Sequence, residues 1–162
     1  MSLESVRADL AQRAPDLPII EVEQSTATVD EAARALGVEP ARIAKTLAVR
    51  AGEVFLLVTR GDARLDNGKC KARFGTRPRM LGAEETLALT GHPVGGVCPF
   101  GLTTPLPVYL DISLRGFDLV YPAAGSLTSS VGIPPERLAE LVASGWVDLC
   151  KLPGGTSGLG GA

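Results

Sequence analysis

The apolar positions of the chain change their period several times, and each change marks a different element of secondary structure. Leu3, Val6 and Leu10 are spaced like the buried stripe of a helix. Two short apolar runs within residues 46–59 flank Ala51-Gly52-Glu53, and this pattern predicts a β-hairpin with a short loop. The chain therefore combines helices with strands rather than consisting of either alone.

The remaining pattern continues this mixture without a regular order. Thr28 and Glu31 have the spacing of a capping box at the start of a helix. Because strands and helices do not alternate as in a doubly wound fold, the pattern predicts an α+β domain built on a mixed sheet. Besides the first helix and the hairpin, we expect strands at 18–22, 107–111, 119–123 and 127–133, and helices at 28–36, 65–74, 83–90 and from 134 onward.

Length and composition are those of one domain. The chain has 162 residues, 45% of them hydrophobic, which is enough for a single core. We expect this domain to span residues 1–152 and a flexible, glycine-rich tail to follow at 153–162. No apolar run approaches the roughly 20 residues of a membrane-spanning helix. The N-terminus also lacks a signal-peptide pattern, so we expect a cytoplasmic protein without a membrane partner.

The cysteines and the histidine narrow the candidate chemistry. Three cysteines without a Cys-x-x-Cys pair do not indicate a disulfide framework. A single histidine adds little to a zinc site, so we expect no structural or catalytic transition metal.

Charge is distributed unevenly along the chain. The formal net charge is −2, yet residues 41–80 contain ten Lys or Arg and only three acidic residues. A segment this basic can form a positive face on an acidic protein, and RNA phosphates are natural ligands of such a face. Alternatively, these cations spread over the surface and pair with acids elsewhere. The candidate nucleic-acid contacts are Arg64, Lys69, Lys71, Arg73, Arg77 and Arg79.

Two features are candidates for chemistry. The first is the loop 91–101, which is rich in Gly and Pro. Glycines allow backbone N–H groups to approach a ligand closely, and such groups can stabilise a developing oxyanion. The second is Lys45, which opens an apolar strand where its ammonium group can face a pocket. Taken separately, the loop is more simply explained as a tight turn and Lys45 as a solvated lysine.

In combination and in this order, the motifs resemble the YbaK/EbsC and prolyl-tRNA-synthetase-associated editing domains. The resemblance extends from about Thr28 to Leu149. It rests on five motifs in this order along the chain. The first two are Thr28 with the helix after it and Gly37-Val38, and then Ile43-Ala44-Lys45-Thr46-Leu47. The other three are Gly61-Asp62-Ala63-Arg64-Leu65-Asp66 with Lys69, Thr90-Gly91-His92 with 95–101, and Leu110-Asp111 with the turn at Gly125.

The resemblance implies a mixed, partly closed and barrel-like β-sheet surrounded by helices. It also implies a free-standing enzyme that hydrolyses the ester between a wrong amino acid and tRNA, without a metal or an organic cofactor. The usual tRNA is the proline-accepting one, carrying alanine, cysteine or another small residue. Such a protein would work as a monomer or homodimer, alone or docked on prolyl-tRNA synthetase.

Lys45 and Gly101 are the predicted catalytic residues. The matching family position gives the Gly101 N–H the role of oxyanion donor. We expect Lys45 to position the substrate rather than to act as a base, because an ordinary lysine is protonated at neutral pH. The residues predicted to line the substrate pocket are Thr28, Thr46, Gly95, Gly96, Val97, Pro99, Phe100, Asp111 and Ser130.

Three residues near the loop have competing explanations. His92 is a candidate general base, although a hydrogen bond that stabilises the loop is the simpler explanation. Cys98 has His92 nearby, but a small Ser-like residue is common at this family position, so we do not expect a nucleophile. Asp111 either holds the loop, orients Lys45 or is purely structural.

Two other functions use the same residues. A non-catalytic tRNA- or synthetase-binding module would use the basic segment and keep the loop as scaffold. A hydrolase of small acyl esters unrelated to tRNA would use the loop and Lys45 without the basic segment.

Overall fold

The computed structural model describes residues 2–153, so all but the first residue of the tail predicted at 153–162 lies outside the described residues. The described helices are α1 (Ser2–Arg13), α2 (Val29–Leu36), α3 (Asn67–Phe74), α4 (Ala83–Thr90) and α5 (Pro135–Val142). The described strands are β1 (Ile19–Glu21), β2 (Ile43–Ala51), β3 (Glu53–Arg60), β4 (Arg64–Leu65), β5 (Arg79–Met80), β6 (Val108–Asp111), β7 (Tyr121–Pro122), β8 (Ser129–Val131), β9 (Gly145–Val147) and β10 (Cys150–Lys151). Short 3₁₀ turns at Pro40–Arg42 and Ile112–Leu114 precede β2 and follow β6.

The helix boundaries follow from capping chemistry. The Thr28 hydroxyl accepts the Glu31 N–H at 3.1 Å and begins α2, as the capping box predicts. The predicted helix at 65–74 begins two residues later, because Asp66 is its N-cap and accepts the Lys69 N–H at 3.0 Å. Residues 64–65 are thereby left to form β4. Within residues 2–153, no helix is long and apolar enough to cross a membrane.

The centre of the fold is a mixed sheet of six strands. Its order is β5-β2-β3-β6-β9, and β7 pairs with β2 on the side away from β3. The hairpin β2–β3 is antiparallel, whereas β3–β6 and β6–β9 are parallel. Two further ribbons pair β1 with β8 and β4 with β10. The α+β class with a mixed sheet is confirmed, and the sheet is open because β5 and β9 do not pair with each other.

The outer edge of β2 is covered at both ends and open in the middle. β7 pairs with residues 43–44 and β5 with residues 49–50. The Leu81 N–H adds a hydrogen bond to the Ala48 carbonyl at 3.0 Å. Because alternate residues of a strand direct their backbone groups to the same edge, the N–H and C=O of Thr46 face the open stretch.

Two apolar clusters lie on opposite faces of this sheet. The first cluster contains Ala44 and Ala48 of β2, and the second contains Val49. Successive side chains of a strand point to opposite faces. Lys45 therefore projects towards the second cluster, and Thr46 projects towards the first.

Candidate functional site

A cavity of about 330 Å³ lies beside the open stretch of β2, and we call it the Lys45 cavity. Among the described residues that line it, Lys45 is the only one with a charged side chain. The wall is otherwise made of small apolar residues and hydroxyls, so the cavity suits a small group with some polar character. It is lined by residues 26–29 and Ala32, by residues 43–48, by Met80, Leu81 and Thr86, by Val94, Gly95 and Val97, and by Tyr121, Ala123 and Ser130.

Two hydroxyl groups in the cavity wall have no partner. The Oγ1 atoms of Thr26 and Thr46 are both buried and form no hydrogen bond within residues 2–153. Thr26 is only 6% exposed. A buried hydroxyl without a partner costs about 1–3 kcal/mol. A ligand that hydrogen-bonds to these oxygens would recover this free energy, which marks the cavity as a binding site for a polar group.

Lys45 is half-buried at the cavity wall, and its ammonium group forms a hydrogen bond within the protein. Its Nζ donates a hydrogen bond to the carbonyl oxygen of Ala63 at 2.5 Å. Burial lowers the pKa of Lys45 and is the largest influence on it. The positive charge of Arg64 adds to this lowering, whereas Asp62 opposes it. An ammonium group has three N–H donors, so two remain for a ligand.

The glycine-rich loop approaches the cavity closely because it lacks side chains at two positions. Gly95 has φ +96°, and a Cβ there would lie 2.8 Å from Cδ2 of Leu127. The Gly96 carbonyl accepts the Gly125 N–H at 3.1 Å, and a Cβ on Gly96 would lie 3.0 Å from the Gly125 backbone. The N–H groups of Gly95 and Val97 form no hydrogen bond within residues 2–153. They are therefore free to bind a ligand.

Gly101 occupies a different place from the one expected of an oxyanion donor. It does not line the Lys45 cavity, and its N–H donates to the Asp9 carboxylate of α1 at 2.7 Å. A Cβ at this position would lie 2.6 Å from the carbonyl carbon of Ser5. The Gly101 N–H is therefore engaged, because α1 packs on the end of the loop and uses that donor, and the catalytic role of Gly101 stays a prediction.

His92 supports the loop from inside the core. The residue is fully buried, and its Nε2 lies 2.7 Å from the Phe100 carbonyl oxygen. Since a carbonyl only accepts, Nε2 carries the proton. Nδ1 lies 2.6 Å from the Ser2 hydroxyl oxygen, and that hydroxyl donates to the Gly125 carbonyl. Burial lowers the His92 pKa. Both ring nitrogens are thus engaged, which fits the loop-stabilising explanation rather than that of a general base.

Cys98 has the properties of a core residue. It is completely buried, and its Sγ lies 3.6 Å from Nε2 of His92. Burial raises the pKa of the Cys98 thiol to about 12. A nucleophilic cysteine requires the thiolate form, so the chemistry of this site does not favour Cys98.

The other predicted pocket residues divide into two groups. Thr28, Thr46, Gly95, Val97 and Ser130 line the Lys45 cavity. Gly96, Pro99 and Phe100 are buried in the loop, and they do not line it.

Asp111 is also buried away from the Lys45 cavity. Its carboxylate accepts the Ser113 and Leu149 N–H groups at 3.0 and 2.8 Å. It therefore fixes the chain after β6 and between β9 and β10, and it does not orient Lys45.

The candidate tRNA contacts do not all remain free. Lys69 forms an ion pair with Asp148 at 2.9 Å. The Arg73 guanidinium lies over the Phe74 ring at 4.9 Å. Arg64, Lys71, Arg77 and Arg79 are exposed, on β4, on α3, in the segment after α3 and on β5.

Thr26 and Asp9 are site residues that the sequence did not indicate. Neither belongs to a local motif, and each acquires its place only through contacts with distant parts of the chain. Metal ligands are also absent from the described part of the chain: within residues 2–153, no group of three His, Cys, Asp or Glu side chains is arranged to hold a metal ion.

The fold and the site define an α+β domain with a small binding cavity, one half-buried lysine and a close-packed glycine-rich loop. The chain belongs to the aminoacyl-tRNA editing domain family, whose model matches residues 23–141. The resemblance to editing domains is thereby confirmed. Helix α1, which holds the Gly101 end of the loop, lies before the matched segment.

Similar proteins include both free-standing chains and parts of synthetases. The uncharacterized protein YwhH of Bacillus subtilis (strain 168) is 46% identical over 154 residues, which cover 93% of this chain and 98% of that protein. The proline–tRNA ligase of Shouchella clausii is 35% identical over 121 residues, 72% of this chain but only 21% of the ligase. A crystal structure described as a candidate trans-editing enzyme for prolyl-tRNA synthetase has a TM-score of 0.84 at 36% identity, covering 91% of this chain and 96% of that one.

Proposed function

We propose that this protein hydrolyses the ester bond between a small, wrong amino acid and the 3′ end of a tRNA, with proline tRNA as the leading substrate. The observation that carries this proposal is the Lys45 cavity, a small cavity whose wall includes Lys45 and two threonines with unpartnered hydroxyls. Family membership supports the reaction class. The likeness to proline–tRNA ligases supports the choice of tRNA, although the chain spans only about a fifth of such a ligase.

The reaction needs a positioned water and a stabilised oxyanion, and it needs no metal or cofactor. The water oxygen bonds to the ester carbonyl carbon, the bond to the ribose oxygen breaks, and a proton passes to that oxygen. The Lys45 ammonium orients the ester, and a neighbouring ribose hydroxyl of the substrate activates the water. The free N–H groups of Gly95 and Val97 replace Gly101 as candidate oxyanion donors. A preorganised donor of this kind contributes roughly 10²–10³ in rate.

Selection in this proposal depends on size and on hydrogen bonding. A cavity of about 330 Å³ is at the small end of ligand pockets and has room for alanine, cysteine or serine. Its volume alone does not exclude proline, so rejection of proline in this proposal depends on how the wall contacts the ring. The hydroxyls of Thr26 and Thr46 supply partners for the polar groups of the bound amino acid.

The test is deacylation of proline tRNA charged with alanine, cysteine, serine or proline. We expect at least one of the three small residues to be released and proline to be spared. Lys45→Met keeps the length of the side chain and removes its charge, so kcat should fall about a hundredfold or more. Lys71→Met is the matched control, because Lys71 is exposed on α3 and does not line the cavity; its kcat should stay at the wild-type value.

The other outcomes distinguish the alternatives. Binding of tRNA without turnover on any charged form would favour a non-catalytic tRNA- or synthetase-binding module. If neither binding nor turnover is observed, a hydrolase of small acyl esters becomes the better explanation. Wild-type turnover in folded Lys45→Met would refute the proposed role of the ammonium group.

A further inference from the structure

The ribbon β4–β10 places two cations directly opposite each other without an acid to neutralise them. Arg64 and Lys151 are cross-strand partners in this antiparallel pair, and both are exposed. Side chains in this relation have Cβ atoms about 4.5–5.5 Å apart, and like charges so placed repel. Within residues 2–153, neither side chain forms an ion pair.

A second pair of like charges in the same fold is neutralised by a neighbouring carboxylate. Arg50 and Arg79 are also cross-strand partners, on β2 and β5. There the Glu85 carboxylate accepts from the Arg50 guanidinium at 3.1 Å, and the charge of Arg79 also lowers the Glu85 pKa. The Arg64–Lys151 pair has no such carboxylate. An anion from outside the described chain would fill that role.

Nearby acids are already committed to other groups. Asp62 forms a two-point ion pair with Arg60, at 2.6 and 2.9 Å. Asp148 pairs with Lys69, whose Nζ also donates to the Cys150 carbonyl at 2.8 Å and so holds β10 in place. The ribbon is therefore fixed by its neighbours while its two outward cations stay unpaired.

The ribbon packs close to Lys45. Lys45 donates to the carbonyl of Ala63, the residue before Arg64. Lys45 is also opposite Thr59 on β3, and the Thr59 hydroxyl donates to Cys150 Sγ at 3.3 Å, next to Lys151. The charge of Arg64 is also close enough to lower the pKa of Lys45, so the two exposed cations lie near Lys45 at the surface of the domain.

A second cavity, of about 490 Å³, extends along the ribbon from Lys151. Its wall includes two exposed apolar side chains, Ile112 and Leu152, together with Arg60 and Arg115. The wall also contains Asp111 and Asp148, and Arg60 and Arg115 are paired with Asp62 and Glu136, so Lys151 is its cation without an ion pair within residues 2–153.

We propose that Arg64 and Lys151 form a phosphate clamp for the RNA backbone next to the aminoacylated end of the tRNA. The inference rests on the proposed function for the identity of the RNA, and it narrows the broad basic segment to one pair. Lys151 lies outside that segment and was not among the candidate contacts. The clamp holds the single-stranded end while Lys45 acts on the ester.

The test uses Arg64→Gln/Lys151→Gln and uncharged proline tRNA, with affinity measured over a series of salt concentrations. Each phosphate contact on a single strand contributes about 0.7 to the slope of log K against log salt, or about fivefold in affinity at 0.1 M salt. We expect the slope to fall by about 1.4 and the affinity by about 25-fold. The melting temperature should stay equal or rise, because a repulsive pair is removed.

Arg7→Gln/Arg34→Gln is the matched control, since it removes the same charge from exposed positions that are not among the candidate tRNA contacts. It should retain the wild-type slope. Deacylation supplies a second readout: the clamp variant should show a higher KM and an unchanged kcat on charged tRNA. An aminoacyl ester of adenosine, which has no phosphate, should be hydrolysed at the wild-type rate.

An unchanged slope in the clamp variant, or an equal loss in the control, would overturn the clamp. Loss of turnover on the adenosine ester would also overturn it, because the effect would then lie in the cavity. If the clamp variant shows the expected fall in slope but the wild-type protein deacylates nothing, the proposed function fails and the clamp stands. If charged tRNA is deacylated and the clamp variant behaves as wild type, the reverse holds.

Discussion

Substitution of Gly101 by alanine tests whether α1 fixes the end of the glycine-rich loop. Gly101 has φ +58°, where a side chain costs about 1–2 kcal/mol. Its Cβ would also lie 2.6 Å from the carbonyl carbon and 2.7 Å from the carbonyl oxygen of Ser5. Because these are backbone atoms of a helix, they cannot move aside cheaply, and overpacking of this kind costs about 1–3 kcal/mol. The total is about 2–5 kcal/mol.

The assay is thermal unfolding followed by circular dichroism. In a domain of this size, 1 kcal/mol corresponds to roughly 2–4 °C. We therefore expect the melting temperature of Gly101→Ala to fall by about 10 °C. Gly37→Ala is the control, because Gly37 has φ +71° with nothing within 4 Å of the added Cβ. It carries the backbone cost of about 1–2 kcal/mol alone and should lose about 2–8 °C, less than Gly101→Ala. Equal losses in the two variants would refute the close contact between Gly101 and α1.

Two further predictions concern ionisation. Burial lowers the pKa of Lys45 below its ordinary 10.5. If the reaction requires the ammonium form, kcat/KM should therefore fall on the alkaline side at a pH below 10.5, after uncatalysed ester hydrolysis is subtracted. A kcat/KM that stays level through pH 10.5 would contradict this requirement. Cys70, Cys98 and Cys150 are at most 5% exposed, and burial raises the thiol pKa of the latter two to about 12, so a thiol reagent should label none of the three until the protein is unfolded. Rapid labelling of native protein would show that the core opens far more readily than its packing indicates.

Short-range signals predicted most of the secondary structure. The helix at 83–90 has the predicted boundaries, and the capping box at Thr28 begins α2. These succeed because a cap or an apolar stripe involves residues only three or four positions apart. The strands β4, β5, β9 and β10 were not predicted. Each has two or three residues, too few for a period, and forms only because a partner strand lies beside it.

Lys45 and the glycine-rich loop were recognised from the sequence because their motifs are local and ordered. Their orientation was decided by tertiary structure. The Gly101 N–H is occupied because α1 places the Asp9 carboxylate, 92 positions away in the chain, against it. Thr26 carries no motif, and only the structure shows that it lines the cavity and that its hydroxyl is buried without a partner within residues 2–153.

The sequence alone determined the class of the fold, the family resemblance and the two features at the centre of the site. All three depend on composition, on short spacings and on the order of motifs along the chain. Only the tertiary structure decided which donors remain free, which acids are already paired, and that Arg64 meets Lys151. Those properties depend on contacts between residues far apart in sequence, and such contacts are set by the packing of the whole domain.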